Sequence, residues 1–127
     1  MDEAALPLRE AIQLVVGEQL SSVTFVMDYW QLAFDGHVFS VLTWLSVTQN
    51  GRTVRNGEDG FRDRLCEQIT KMVSAIDFAN KVLSITFEDN SEILVFARPE
   101  DYRIPCPEAF LFQSYKFKTL YVENGAD

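Results

Sequence analysis

The chain has a single histidine, His37, which stands two residues after Asp35. An imidazole beside a carboxylate can serve as a general acid or base near neutral pH. Catalysis needs further groups to attack and to orient the ring. No second histidine exists, and no serine or cysteine motif near His37 completes a triad. Asp35-Gly36 is itself a turn signal, so a polar residue directly after it is expected without any chemistry. Carboxylates cluster at Glu58-Asp59 with Asp63, at Glu88-Asp89 and at Glu100-Asp101. Such pairs can hold a cation or drive hydrolysis, but none stands in a calcium-loop pattern. Glu58 and Asp59 complement the start of a predicted helix, and Glu88 and Asp89 suit a turn. Cys66 and Cys106 lack metal-ligand spacing. Glycine-rich phosphate cradles, GxSxG and HExxH are absent. The sequence therefore predicts no catalytic residue, no metal ligand and no cofactor.

The aromatics offer a different chemistry. Tyr29, Trp30, Trp44, Tyr102, Phe110 and Phe112 are a large endowment for a chain of 127 residues. Trp44 falls opposite the apolar face of its own strand pattern, where it is either covered by a helix or free to anchor a partner. Charge adds to this. No Lys or Arg occurs between Arg9 and Arg52, while Glu10, Glu18, Asp28 and Asp35 do. Asp28, Tyr29, Asp35 and Trp44 are accordingly the expected protein-binding residues. The net charge of −8 opposes nucleic acid and anionic membrane surfaces and suits a basic partner.

The positioning elements follow from periodicity. Pro7 to Val16 predicts a helix closed by Gly17, and Asp59 to Met72 predicts a second. The second carries an apolar stripe of Phe61, Leu65, Ile69, Met72 and Val73, with Cys66 partly buried. Alternation predicts strands around Val23–Met27, Trp30–Phe34 and His37–Thr48, with Phe39, Val41, Thr43, Leu45 and Val47 on one face. Asn50-Gly51 and Asn56-Gly57 mark a polar loop. The strand pattern returns at Ile76–Phe78, Leu83–Phe87 and Ile93–Val95, and a last strand is expected over 114–122. Val23, Phe25, Trp30, Leu32 and Phe34 match Ile76, Phe78, Leu83, Ile85 and Phe87 at one separation, 53 (76 against 23). Phe39 and Val41 match Ile93 and Val95 after one inserted residue. The expected fold is an α+β domain over 1–127. It consists of duplicated helix–three-strand units, 7–48 and 58–97, forming a mostly antiparallel sheet.

VTFVMDYWQLAFDG with LSITFEDNSEILVFARPEDY resembles a loose group of small bacterial proteins, some of them assigned as immunity proteins of toxin systems. The likeness covers roughly residues 14–122, and its motifs are general hairpin chemistry. The second unit departs from an Asp-Gly turn, reading Glu88-Asp89-Asn90-Ser91, and the group supplies no functional residue to carry over. The expectation is a non-enzymatic protein-binding module of the immunity or inhibitor kind that neutralises a basic partner. Alternatives are a small-molecule or enzymatic pocket between the units, and a homodimer joined through a strand edge. No secretory signal or membrane span is legible, so the expected compartment is the cytoplasm, with both thiols reduced.

Overall fold

The computed structural model describes residues 6–27, 29–97, 109–116 and 120–123. The chain opens with one turn of α-helix, α1 (Leu8–Ala11), continued as a 3₁₀ turn, Ile12–Val15. Ala11, Ile12 and Val15 are buried and fix this segment against the core. Strands β1 (Ser22–Val26), β2 (Tyr29–Phe34), β3 (His37–Val41), β4 (Leu45–Gln49) and β5 (Arg52–Arg55) follow. After helix α2 (Phe61–Cys66) come β6 (Val73–Ala79), β7 (Val82–Phe87), β8 (Glu92–Phe96), β9 (Phe110–Ser114) and β10 (Tyr121–Glu123).

The strands form two five-stranded sheets, β1-β2-β3-β9-β10 and β5-β4-β8-β7-β6, and every pairing is antiparallel. Phe34, Phe39 and Phe112 of the first sheet and Leu83, Ile85 and Phe87 of the second belong to one buried cluster. Phe78 of β6 meets Phe110 of β9 edge-on at 5.5 Å. Among the described residues the domain is thus two antiparallel sheets with two short helical segments, richer in sheet than the α+β expectation. Strand alternation puts one face of each sheet into the core, so two sheets close the core and long helices are not needed.

Several expectations are corrected by this arrangement. The single strand over 37–48 is two strands, broken at 42–44, and β4 pairs with β8 in the other sheet. Phe39, Val41, Thr43, Leu45 and Val47 are all fully buried nonetheless, because the chain crosses between sheets that face the same core. Asn50-Gly51 is the tight turn of the β4–β5 hairpin, with φ 54° and 76°. The second helix stops at Cys66 instead of Met72, and Cys66 is exposed while Phe61 and Leu65 face inward. Cys106 lies outside the described residues. The last strands are β9 and the shorter β10, in place of one strand over 114–122.

The pairing registers recur along the chain. Val23 faces Leu32 and Phe25 faces Trp30, as Ile76 faces Ile85 and Phe78 faces Leu83. Leu32 faces Phe39 as Ile85 faces Ile93. Beyond these meanders β3 takes β9, and β8 takes β4. The two parts meet at an isolated bridge between Gln19 and Met72, positions 53 apart (72 against 19). There Gly17 N–H donates to Val73 O at 2.9 Å, and Thr70 N–H to Leu20 O at 2.8 Å. Leu20 N–H donates to Lys71 O at 3.0 Å, and Val73 N–H to Glu18 O at 2.9 Å. Each bond of these pairs maps onto its fellow when its residues are exchanged at that same separation. Gly17 and Thr70, at matching positions, both have positive φ, 90° and 85°.

No helix among the described residues is long and apolar enough to cross a membrane.

Candidate functional site

A cleft of about 540 Å³ opens where the β1–β2 hairpin of one sheet meets the β5–α2 connection below the other. Its aromatic lining is Phe25, Trp30, Trp44 and Phe61. Alternation along β1 and β2 turns Phe25 and Trp30 to the same side, since they are register partners. Phe61 opens α2 and meets Trp30 in an edge-on contact at 6.3 Å. Trp44 sits in the crossing between β3 and β4, half-buried, with the Arg55 guanidinium 4.5 Å from its ring centre. Arg55 also lies 5.8 Å from the Phe96 ring.

The polar lining comes from one short segment. Asn56 is buried, accepts the Leu45 N–H on Oδ1 at 2.8 Å, and donates its own N–H to Leu45 O at 3.0 Å. This clamp fixes the start of the segment to β4. Glu58 Oε1 accepts the Arg55 N–H at 2.7 Å and closes the turn. Gly57 has φ 98°, and a Cβ there would stand 3.9 Å from the Trp44 ring. The segment delivers Glu58, Asp59 and Asp63 to the cleft, with Arg62 as its one lining cation. Arg62 lies 5.5 Å from the Phe25 ring. Aromatic faces carry negative quadrupole charge, so rings and carboxylates together favour a cationic guest. Arg62 on the Phe25 ring uses the same attraction, as does Arg55, outside the lining, on the Trp44 ring.

The expected binding residues are distributed unevenly around this cleft. Trp44 lines it. Tyr29 starts β2 at the hairpin that borders it, and is half-buried. Asp28 lies outside the described residues. Asp35 is exposed in the β2–β3 turn, at the far end of β2 from Tyr29, roughly 20 Å along the strand. The sequence reading did not single out Phe25, Asn56 or Arg62 for the site. Glu58 and Asp59 are expected from the sequence to complement the start of the second helix. Nothing in the sequence announces the open end of β1: Met27, 92% exposed beside Phe25 and Val26, shows only in the structure that this strand end lacks cover.

His37 lies elsewhere. It is only 1% exposed, and its Nδ1 is 2.8 Å from Ser114 Oγ. Ser114 is equally buried and accepts the Lys116 N–H at 3.1 Å. The Tyr115 ring packs beside the imidazole at 5.5 Å. Burial lowers the His37 pKa below its ordinary value, against opposing pulls from Glu18 and Asp35. A hydroxyl hydrogen-bonded to an imidazole is the pairing of a nucleophile and its base. Here both groups are sealed from any substrate, so the pair satisfies buried polarity instead. His37 follows the turn as a polar residue was expected to, but its side chain lies on the inward face of β3 with Phe39 and Val41.

Lys71 anchors a second polar cluster, 2.7 Å from Asp89 Oδ2 and 2.9 Å from Gln68 Oε1. Gln68 Nε2 donates to Gln49 Oε1 at 2.7 Å, and Ser91 Oγ donates to Gln68 Oε1 at 2.7 Å. The hydrogen bond from Lys71 brings the Asp89 carboxyl down to about 2. Every member has partners inside the protein, so this cluster is structural. Among the described residues no three His, Cys, Asp or Glu side chains are grouped to hold a metal. No family model, no curated protein and no solved structure matches the chain, so the aromatic, acid-lined cleft stands as the candidate site on its geometry.

Proposed function

We propose that this domain is a non-enzymatic binding module that takes a basic segment of a protein partner into the cleft. The observation that carries the reading is the convergence of four aromatic rings and three carboxylates in one open site. The net charge of −8 would speed encounter with a basic partner. Neutralising such a partner is the work of an inhibitor or immunity protein, and the cytoplasm is the compartment we assign. The recurring registers and the bridge between Gln19 and Met72 support an origin by internal duplication. On that reading the units exchanged β4 and β9 when they joined.

One observation favours a second reading. The cleft draws on residues from both units, Phe25 and Trp44 from one and Glu58 to Asp63 from the other. Its volume falls in the range of small-ligand pockets. A cationic metabolite is then the competing guest.

Titration of a lysine-rich peptide, followed by the Trp44 indole resonance where Trp44 is retained and by binding kinetics on the immobilised peptide for every variant, tests the proposal. Binding should weaken severalfold in the Asp59→Asn, Asp63→Asn double variant and fall with added salt. Trp44→Ala should speed dissociation more than it slows association. Equal affinity in the double variant, or equal binding of a glutamate-rich control, would overturn it.

A further inference from the structure

Each sheet ends in a strand at a matching position, β1 in one and β6 in the other. An edge strand offers unpaired N–H and C=O groups, and folded proteins normally protect them. β6 is protected in several ways. Gln13 Nε2 donates to Ile76 O at 2.9 Å, and the 3₁₀ turn packs along the strand. The β6–β7 register shifts between Val73 and Ala75, which twists the edge. Asp77 places a charge there and pairs with Arg9 at 3.3 Å.

Among the described residues β1 has no register shift and no charge of its own, and the Arg62 guanidinium of α2 meets it only at the Phe25 ring, 5.5 Å away. The β1 sequence, Ser-Val-Thr-Phe-Val, carries no charge and no proline. Its register with β2 runs without a shift from Ser22 to Val26. Helix α2, at the position matching α1 (61 against 8), packs on β4 and β5, and its Arg62 reaches the Phe25 ring of β1. Phe25 and Val26 remain 39% and 38% exposed. A β-prone, uncharged, unshifted edge is an open template for another strand. The same two residues line the cleft, so a strand added to β1 would run past its mouth.

We infer that β1 is a strand-addition edge. An extended basic segment of a partner pairs its main chain with Ser22–Val26 and lays a Lys or Arg side chain into the cleft beside Trp44. This deepens the proposed binding function and rests on it. Main-chain bonds would supply affinity, and the cleft would select one alternate side chain. Charge chooses the occupant. A second copy would bring its own −8 and its own acidic lining against the first, and like charges oppose that approach. A basic strand meets three carboxylates, Glu58, Asp59 and Asp63, against one lining cation, Arg62, and ring faces that also attract it.

Three synthetic peptides test this against the intact protein. The first alternates lysine and valine. The second has the same sequence with alternate backbone nitrogens methylated, which removes one edge of donors and keeps the charge. The third has its lysines acetylated. The first should bind and slow amide exchange across Ser22–Val26. The N-methylated peptide should bind about tenfold more weakly or worse, having lost several main-chain bonds. Equal binding of the first two, without exchange protection in β1, overturns strand addition and leaves the cleft reading standing. Equal binding of the acetylated peptide overturns the cationic guest and the cleft reading with it. Protection of β1 without peptide, in a protein that sediments as a dimer, gives the edge to a second copy and overturns the inference.

Discussion

The Lys71 cluster and the His37 pair occupy matching places in the two sheets and are built from opposite materials. Lys71 stands where the other part has Glu18, Ser91 where it has His37, and Gln49 where it has Ser114. In the first, an ammonium is shared among Asp89, Gln68, Gln49 and Ser91 at the rim of the core. In the second, a ring and a hydroxyl satisfy each other under Tyr115, whose ring lies so close to Gly36 that a Cβ would meet it at 2.5 Å. The backbone pairing is the same, so register does not dictate which polar solution fills a position. What each site must do is leave no buried donor or acceptor unmatched, and an ionic network and a neutral pair both manage it.

The widest test of the correspondence is in the core beneath these sites. Phe34 and Phe87 are both fully buried at matching positions. Phe34→Ala and Phe87→Ala should each cost on the order of 3–5 kcal/mol in denaturant unfolding. A difference of more than about 2 kcal/mol between them would break the correspondence, since matching cavities should collapse alike.

A smaller effect is expected at the seam. Thr70 is β-branched and holds φ 85°, a conformation Gly17 adopts freely at the matching place. Thr70→Gly should stabilise the protein by about 1 kcal/mol, and Gly17→Thr should destabilise it by at least as much. Thermal midpoints of the two variants moving in the same direction would show that the seam is not equivalent on its two sides.

The smallest effects are those of pH, and they separate the two polar sites. The folded pKa of His37 is lowered by burial, so the unfolded chain binds the extra proton first. Its contribution is complete above the ordinary value of 6.5 and is lost as pH falls through the folded value. Asp89 is also lowered, so its contribution is complete above 3.8 and is lost as pH falls through about 2. Because the Asp89 side chain is about half exposed, this second loss should stay below about 1 kcal/mol. Stability measured against pH should decline first as pH falls below 6.5 and again in strong acid. His37→Gln should remove the first decline only, and Asp89→Asn the second only. A first decline that survives in His37→Gln would assign it to another group.

The hairpins were legible because their signals are local. Asp35-Gly36 and Asp89-Asn90-Ser91 turn the chain where the sequence indicates, and the strands on either side alternate as read. The cleft was only half legible. Trp44 stands out by its place opposite an apolar face, but Phe25 is one residue of an alternating pattern that matches Ile76–Phe78. Trp30 matches Leu83 in the repeat, yet it is half-buried at the cleft while Leu83 is fully buried. The difference comes from α2 and the β5–α2 segment, which no pattern in β1 or β2 announces.

By itself the sequence determined which side chains share a face, since a period of two places alternate residues on one side whatever the strand's partner. That is why Phe39, Val41, Leu45 and Val47 are all buried although the strand joining them does not exist as read. Only the tertiary structure decided that the chain leaves one sheet at 42–44 and joins the other, and that β9 returns to pair with β3. Alternation is written into neighbouring residues. The choice of partner strand is a contest among distant segments for the same core, settled by how two whole faces fit together.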